Sequence, residues 1–233
     1  MNISAYQKNR LYIFSGHYGS GKSEVSVNFA LALARVHRTA IVDFDIINPY
    51  FRSAGARNAL EQGGVRVITP EYANTNVDVP ALPAEISYLF DDKSTKAVFD
   101  VGGDSAGARA VSRYRDEILL EDTACFFVFN VRRPTTSTAD KAIEIYEEIL
   151  ESARVPFTAI INNTNLMAET TERDLLDGLD AAVELSGRLS LPVAFSVFME
   201  NPGIGPEPQA FISRSCELKI PIFKLSKHIH MPG

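Results

Sequence analysis

The stretch from Gly16 to Ser23, G-H-Y-G-S-G-K-S, constrains this chain more than any other. It fits the spacing G-x-x-x-x-G-K-[ST] of a phosphate-binding loop, or P-loop. Glycine is needed where the backbone curls tightly and where no side chain may stand between an amide and a phosphate oxygen. The backbone N–H groups of Gly16, His17, Tyr18, Gly19, Ser20 and Gly21 are then expected to surround the phosphates of a nucleotide. Lys22 is expected to reach the β- and γ-phosphates as a point charge, and Ser23 to place its hydroxyl on Mg²⁺. The flanks agree with this reading. Leu11 to Phe14 form an apolar run suited to a buried parallel strand. Val25, Phe29, Leu31, Ala32 and Val36 follow at helical spacing. Strand, glycine-rich turn and helix in that order put a helix N-terminus under the phosphates.

Short apolar strands alternate with helical patterns along the remaining chain, which predicts a three-layer α/β/α fold with a mostly parallel sheet, residues 1–233 forming one domain. Strands are expected at 39–43, 65–68, 96–100, 124–130, 157–162, 192–197 and 220–225. Helices are expected at 83–89, 105–120, from a cap at Thr135 or Thr136 to about Glu151, at 171–187 and at 209–218. Residues 69–83 and 201–208 read as loops.

With 233 residues, 45% hydrophobic and 22% charged, the composition is that of an ordinary globular protein. A net charge of -6 argues against broad nucleic-acid binding. No run of about 18 apolar residues exists, so no membrane span is expected. The first ten residues lack the apolar segment of a signal peptide, and the tail from Lys224 is too short for a membrane-binding helix, so the cytoplasm is the expected compartment. Cys125 and Cys216 have neither metal-ligand nor disulfide spacing. His228 and His230 read as a terminal tail rather than a metal site.

Three further signals fall where a P-loop needs them. Asp100-Val101-Gly102-Gly103 places a carboxylate at a strand end, suited to holding Mg²⁺ through water, and a glycine three positions on whose amide can approach the γ-phosphate. Asp43-Phe44-Asp45 puts two carboxylates on one side of a strand end. They are suited to holding the Mg²⁺ shell (Asp43) and orienting the attacking water (Asp45). Asn162-Asn163-Thr164-Asn165 stands where guanine-specific proteins carry N-K-x-D. It has Asn165 in place of the carboxylate that guanine requires, and Asn162 can pair with an adenine edge. This favours ATP over GTP.

The order P-loop, D-x-D, D-x-x-G, strand-end Asn resembles the MinD/ParA/CobQ/CobB class of P-loop NTPases, over roughly Leu11 to Val197. The resemblance implies that Asp45 acts on the attacking water, that Asn162 meets the adenine and that a homodimer is possible. Much of that family carries a signature lysine that reaches across a dimer to the partner's phosphates. His17 stands at that position here, and Tyr18 replaces the glycine after it. The C-x-x-C and C-x-C motifs of metal-carrying relatives are absent. The expected function is Mg²⁺-dependent ATP binding with slow hydrolysis, acting as a switch or an assembly or maturation factor read by a partner protein. An alternative is a small-molecule kinase or ligase similar to dethiobiotin or cobyrinate synthases, with Arg132 and Arg133 holding a small acidic substrate. A third is a nucleotide sensor that does not hydrolyse.

Overall fold

A computed structural model describes residues 6–44, 57–69, 84–103, 105–201, 204–205 and 207–228. The strands are β1 (Leu11–Ser15), β2 (Thr39–Phe44), β3 (Val65–Ile68), β4 (Lys96–Val101), β5 (Thr123–Phe129), β6 (Ala159–Asn162), β7 (Val193–Met199) and β8 (Ile222–Leu225). They form one eight-stranded sheet in the order β3-β2-β4-β1-β5-β6-β7-β8. Every neighbouring pair is parallel. The helices are α1 (Lys22–Ala34), α2 (Arg57–Gln62), α3 (Ala84–Asp91), α4 (Ser105–Ser112), α5 (Arg115–Leu119), α6 (Ala139–Ala153), α7 (Glu172–Leu189) and α8 (Gln209–Glu217).

A strand buried on both faces splits its side chains between two cores by simple alternation. In β1, Leu11 and Ile13 face one side with α3, α4, α5 and α6. Tyr12 and Phe14 face the other, with α1 and α2. The resulting three layers are those expected. At its far end the sheet adds a smaller cluster, in which Phe198 of β7 meets Leu175 and Leu179 of α7 and Phe211 of α8.

The differences from expectation have physical causes. Helix α1 does not carry a simple apolar stripe: Val25, Val27, Phe29, Ala30 and Leu33 are all buried, because α1 is packed on several sides. It lies on the sheet, touches α2, and is gripped by the segment after β8, where Asn28 and Ser226 exchange two 2.9 Å hydrogen bonds. Val36, expected on the apolar face, lies beyond the helix end and is 60% exposed. The helix expected at 105–120 is two, broken around Tyr114. The Tyr114 ring leaves the helical path to stack on Phe90 at 5.2 Å and meet Phe44 edge-on at 6.2 Å. The cap of α6 is Thr138, whose hydroxyl accepts from Lys141 N, rather than Thr135 or Thr136. Those two threonines hold the preceding turn instead.

Phe29 is the hub of the α1 side. It is fully buried, with ring centroids 5.0 Å from Tyr12, 5.3 Å from Phe14 and 6.4 Å from both Phe195 and Phe223. Phe29→Ala is expected to lower stability by about 3–5 kcal/mol, because neighbours from several strands cannot collapse into the cavity. Urea unfolding followed by circular dichroism reads this directly. A loss under about 1 kcal/mol would show that α1 does not anchor the sheet.

Candidate functional site

The central strand β1 lies between β4 and β5, while the chain runs from β1 out to β2 and β3 on one side and later to β5 through β8 on the other. Such a reversal opens a crevice at the carboxyl ends of the strands. The loop from Gly16 to Gly21 sits there, between Ser15 of β1 and Lys22 of α1. Its glycines are demanded by geometry. Gly19 and Gly21 have φ of 78° and 80°, where side-chain-bearing residues are strained. A Cβ on Gly16 would come 2.0 Å from the Val128 carbonyl oxygen of β5. One on Gly21 would come 2.2 Å from Asn163 Nδ2.

The loop leads straight into α1, whose first residue, Lys22, is only 5% exposed. Gly21 caps the helix without a side-chain hydrogen bond. The buried Ser20 hydroxyl also has no hydrogen-bond partner among the described residues. A helix N-terminus of this kind favours an anion, and Glu24 is the acidic residue of its first turn.

Asp43 and Asp100 are register partners in the β2–β4 ladder, and Asp100 is also paired with Phe14 of β1. Ile41 and Val98, two residues before each carboxylate, pack on the α1 side, so both carboxylates point to that side. Each is 1% exposed or less. Gly103 closes this half of the site: a Cβ there would lie 2.3 Å from Gly16 O and 2.7 Å from Tyr18 N. The D-x-x-G turn thus rests directly on the P-loop backbone. No cluster of three or more acidic, histidine or cysteine ligands occurs among the described residues. A Mg²⁺ ion completed by phosphate oxygens and water asks for fewer protein ligands, and Ser23, Asp43 and Asp100 fit that need. Asp45 lies outside the described residues, as does Asp104.

The other half of the site differs from expectation at Asn162. Its side chain, 1% exposed, is used internally. Nδ2 donates to Ser196 Oγ at 3.1 Å, and Oδ1 accepts from Thr164 N at 3.1 Å. As the last residue of β6 it points into the protein, and the next residue turns to the loop. Asn163 Nδ2 donates to Ser20 O at 2.7 Å and so ties the β6 turn to the P-loop. Asn163 and Asn165 line a cavity of about 390 Å³ beside Gly21, Lys22 and Ser23. Leu175, Val197, Phe198, Met199 and Leu225 form its apolar wall. Lys227 lines it too, in the segment held to α1 by the His228 N–H donating to Glu24 Oε1 at 2.6 Å. His230 lies outside the described residues.

The adjacent arginines have different surroundings. Arg132 is bound by two carboxylates of α7, Asp174 at 2.7 Å and Asp177 at 2.5 Å. Burial opposes the charge on Asp174, but hydrogen bonds from Thr171 and the Arg132 guanidinium outweigh it and hold the carboxyl below the usual range. Arg133 instead donates from Nε to Gly19 O at 2.8 Å and lines the cavity. His17 Nδ1 lies 3.0 Å from Thr135 Oγ1 and 2.9 Å from Tyr18 O. In the sequence Arg132 and Arg133 look alike, and nothing local marks Asn163 over Asn162 as the residue that holds the loop. The double Asn after an apolar strand was the available signal. The apolar recess comes from three separate elements, α7, β7 and β8, and leaves no local pattern.

No family model matches the chain, and no curated protein does. Among solved structures it is similar to the signal recognition particle 54 kDa protein of Aeropyrum pernix K1 in complex with GDP. That likeness has 18% identity, covers 82% of this chain and 41% of that one, and has a TM-score of 0.52. The cell division protein FtsY of Thermotoga maritima is 16% identical over 88% of this chain and 67% of that one, with a TM-score of 0.52. A nucleotide-binding protein of Archaeoglobus fulgidus in complex with ADP is 16% identical over 89% and 85%, but its TM-score of 0.48 is too low to argue from. The likeness at these identities is one of fold, that of the P-loop NTPases.

The packing of Gly103 on Gly16 can be tested against an unconstrained glycine. Gly103→Ala is expected to cost about 1–3 kcal/mol, because its methyl meets backbone that cannot turn aside. A methyl group on Gly187 in α7 would meet nothing within 4 Å, so Gly187→Ala is expected to stabilise by up to about 1 kcal/mol. Thermal unfolding of the two variants should move in opposite directions. Equal shifts would show that the D-x-x-G turn does not rest on the P-loop.

Proposed function

We propose that this chain binds Mg·ATP in the crevice above β1 and hydrolyses it slowly, the change in bound state being read by a protein partner. The observation that carries this reading is the cradle itself. Three glycines without room for a side chain bring the β1–α1 loop, the D-x-x-G turn and the Asn163 turn together around the uncapped start of α1. The motif order of the MinD/ParA/CobQ/CobB class supports it, and the GDP in the structure of one fold neighbour supports nucleotide binding as such.

The loop amides, the first turn of α1 and Lys22 offset the charge on the phosphates. Mg²⁺, when bound, supplies further positive charge to the phosphate oxygens, and Ser23, Asp43 and Asp100 are the residues to hold it. Water attacks the γ-phosphorus in line. A new O–P bond forms as the bond to the β–γ bridging oxygen breaks, and ADP and phosphate leave. Asp45 is assigned to orienting that water, from its place in D-x-D. The adenine is assigned to the apolar recess, where the Asn163 and Asn165 amides stand and the turn offers no carboxylate for guanine. The kinase alternative is weakened by Arg132, whose charge is already matched by Asp174 and Asp177.

Lys22→Ala is expected to weaken Mg·ATP binding by about 1.5–3 kcal/mol, a charge-assisted contact to phosphate oxygen being lost. Calorimetry measures it, and unchanged affinity would count against the P-loop assignment. Asp45→Asn should separate binding from chemistry. Mg·ATP affinity should stay within a few fold while single-turnover hydrolysis falls by about 10²-fold. Wild-type hydrolysis in that variant would assign the water to another group. In competition, GTP should bind more weakly than ATP, and equal or tighter GTP binding would refute the base assignment.

A further inference from the structure

We infer that Arg133 is a phosphate-binding residue of this site, supplying from the same chain the fixed cation that His17 does not provide at the signature position. The inference rests on the proposed nucleotide site and adds a residue to it.

Two neighbouring arginines differ sharply in their surroundings. Arg132 has its charge matched by two carboxylates. Arg133, one residue on, forms no ion pair with a carboxylate among the described residues. Its Nε–H donates to Gly19 O in the P-loop, and its side chain faces the cavity that Lys22 also lines. The cavity lining carries three cations, Lys22, Arg133 and Lys227, against one carboxylate, Glu24, an excess of positive charge that suits an anion. The N-terminus of α1, with Glu24 in its first turn, adds positive potential at the same place. A nucleotide phosphate suits both.

The backbone holds Arg133 in position. Its N–H donates to Asn130 O at 3.0 Å, and its carbonyl accepts from Thr136 N at 3.0 Å. Thr136 Oγ1 donates to Asn130 O at 2.6 Å, and Pro134 stiffens the turn. Gly19 leaves room for the guanidinium, since a Cβ there would sit 3.3 Å from Arg133 Nε. With Nε donating to Gly19, the two terminal nitrogens keep four N–H groups in the planar fork that suits phosphate oxygens. The contact is made within one chain, so the cation does not wait for a second copy.

The test compares Arg133→Gln and Arg133→Lys with the wild type, by calorimetric titration with Mg·ATP at low and moderate salt. Glutamine keeps an amide N–H able to serve Gly19 O but removes the charge. If Arg133 holds phosphate, Arg133→Gln binds Mg·ATP about ten- to hundredfold more weakly, and its affinity falls less steeply with salt. Arg133→Lys, which keeps charge without the fork, falls between the two. Wild-type affinity in Arg133→Gln would overturn the inference. Weaker binding with an unchanged salt dependence would also overturn it, reducing Arg133 to a prop for the loop. If Lys22→Ala weakens binding and Arg133→Gln does not, the nucleotide site stands without Arg133. If the wild type does not bind Mg·ATP, both readings fall.

Discussion

Chain segments meet around the start of α1 with no room for a side chain on three glycines, and the rest of the site depends on those contacts. Gly16 lies against the Val128 carbonyl, Gly103 against Gly16, and Gly21 against Asn163. Each approach is too close for even a methyl group. The three contacts join the turn after β1 to strand β5, the turn after β4 and the turn after β6. The sheet order makes this possible: β1 lies between β4 and β5, so their carboxyl ends flank one loop. The two aromatic and aliphatic cores behind the loop hold those strands in register, with Phe29 joining α1 to strands as far apart as β1 and β8.

Charge is distributed around this loop in an ordered way. The Asp43–Asp100 pair lies on the β2–β4 side, and Lys22, Arg133 and Lys227 face the cavity on the other, with Glu24 as the one carboxylate there. Carboxylates suited to a hydrated cation and cations suited to phosphate thus flank the same helix start. The apolar wall of the cavity is built differently. Hydrocarbon from β7 and β8 provides area, and the Asn163 and Asn165 amides provide direction. This division between an electrostatic half and an apolar half matches the two ends of a nucleotide, whose phosphates and base make opposite demands.

Much of the fold was legible because its signals are local. Leu11–Phe14, Thr39–Asp43 and Lys96–Asp100 are buried-strand runs that hold in the structure, as does the P-loop between strand and helix. What could not be read was set by contacts between distant residues. The break at Tyr114 needs no glycine or proline, since it is driven by Phe90 and Phe44 across the fold. Thr135 and Thr136 looked like helix caps but serve His17 and Asn130. The end of β6 at Asn162 is the expected one, but the partners of Asn162 and Asn163 lie far off in the sequence. One residue of register decides which points inward to Ser196 and which to the P-loop. Arg132 and Arg133 pose the same problem, and only the position of α7 resolves it.

The most direct test of the central claim is a crystal structure of the wild-type chain grown with Mg²⁺ and a non-hydrolysable ATP analogue. The account predicts density for the triphosphate wrapped by Gly16 to Ser23. It also predicts the adenine in the recess beside Asn163, Asn165 and Phe198, and the metal beside Ser23 and Asp100. A triphosphate bound elsewhere, or an adenine lying outside that recess, would contradict it.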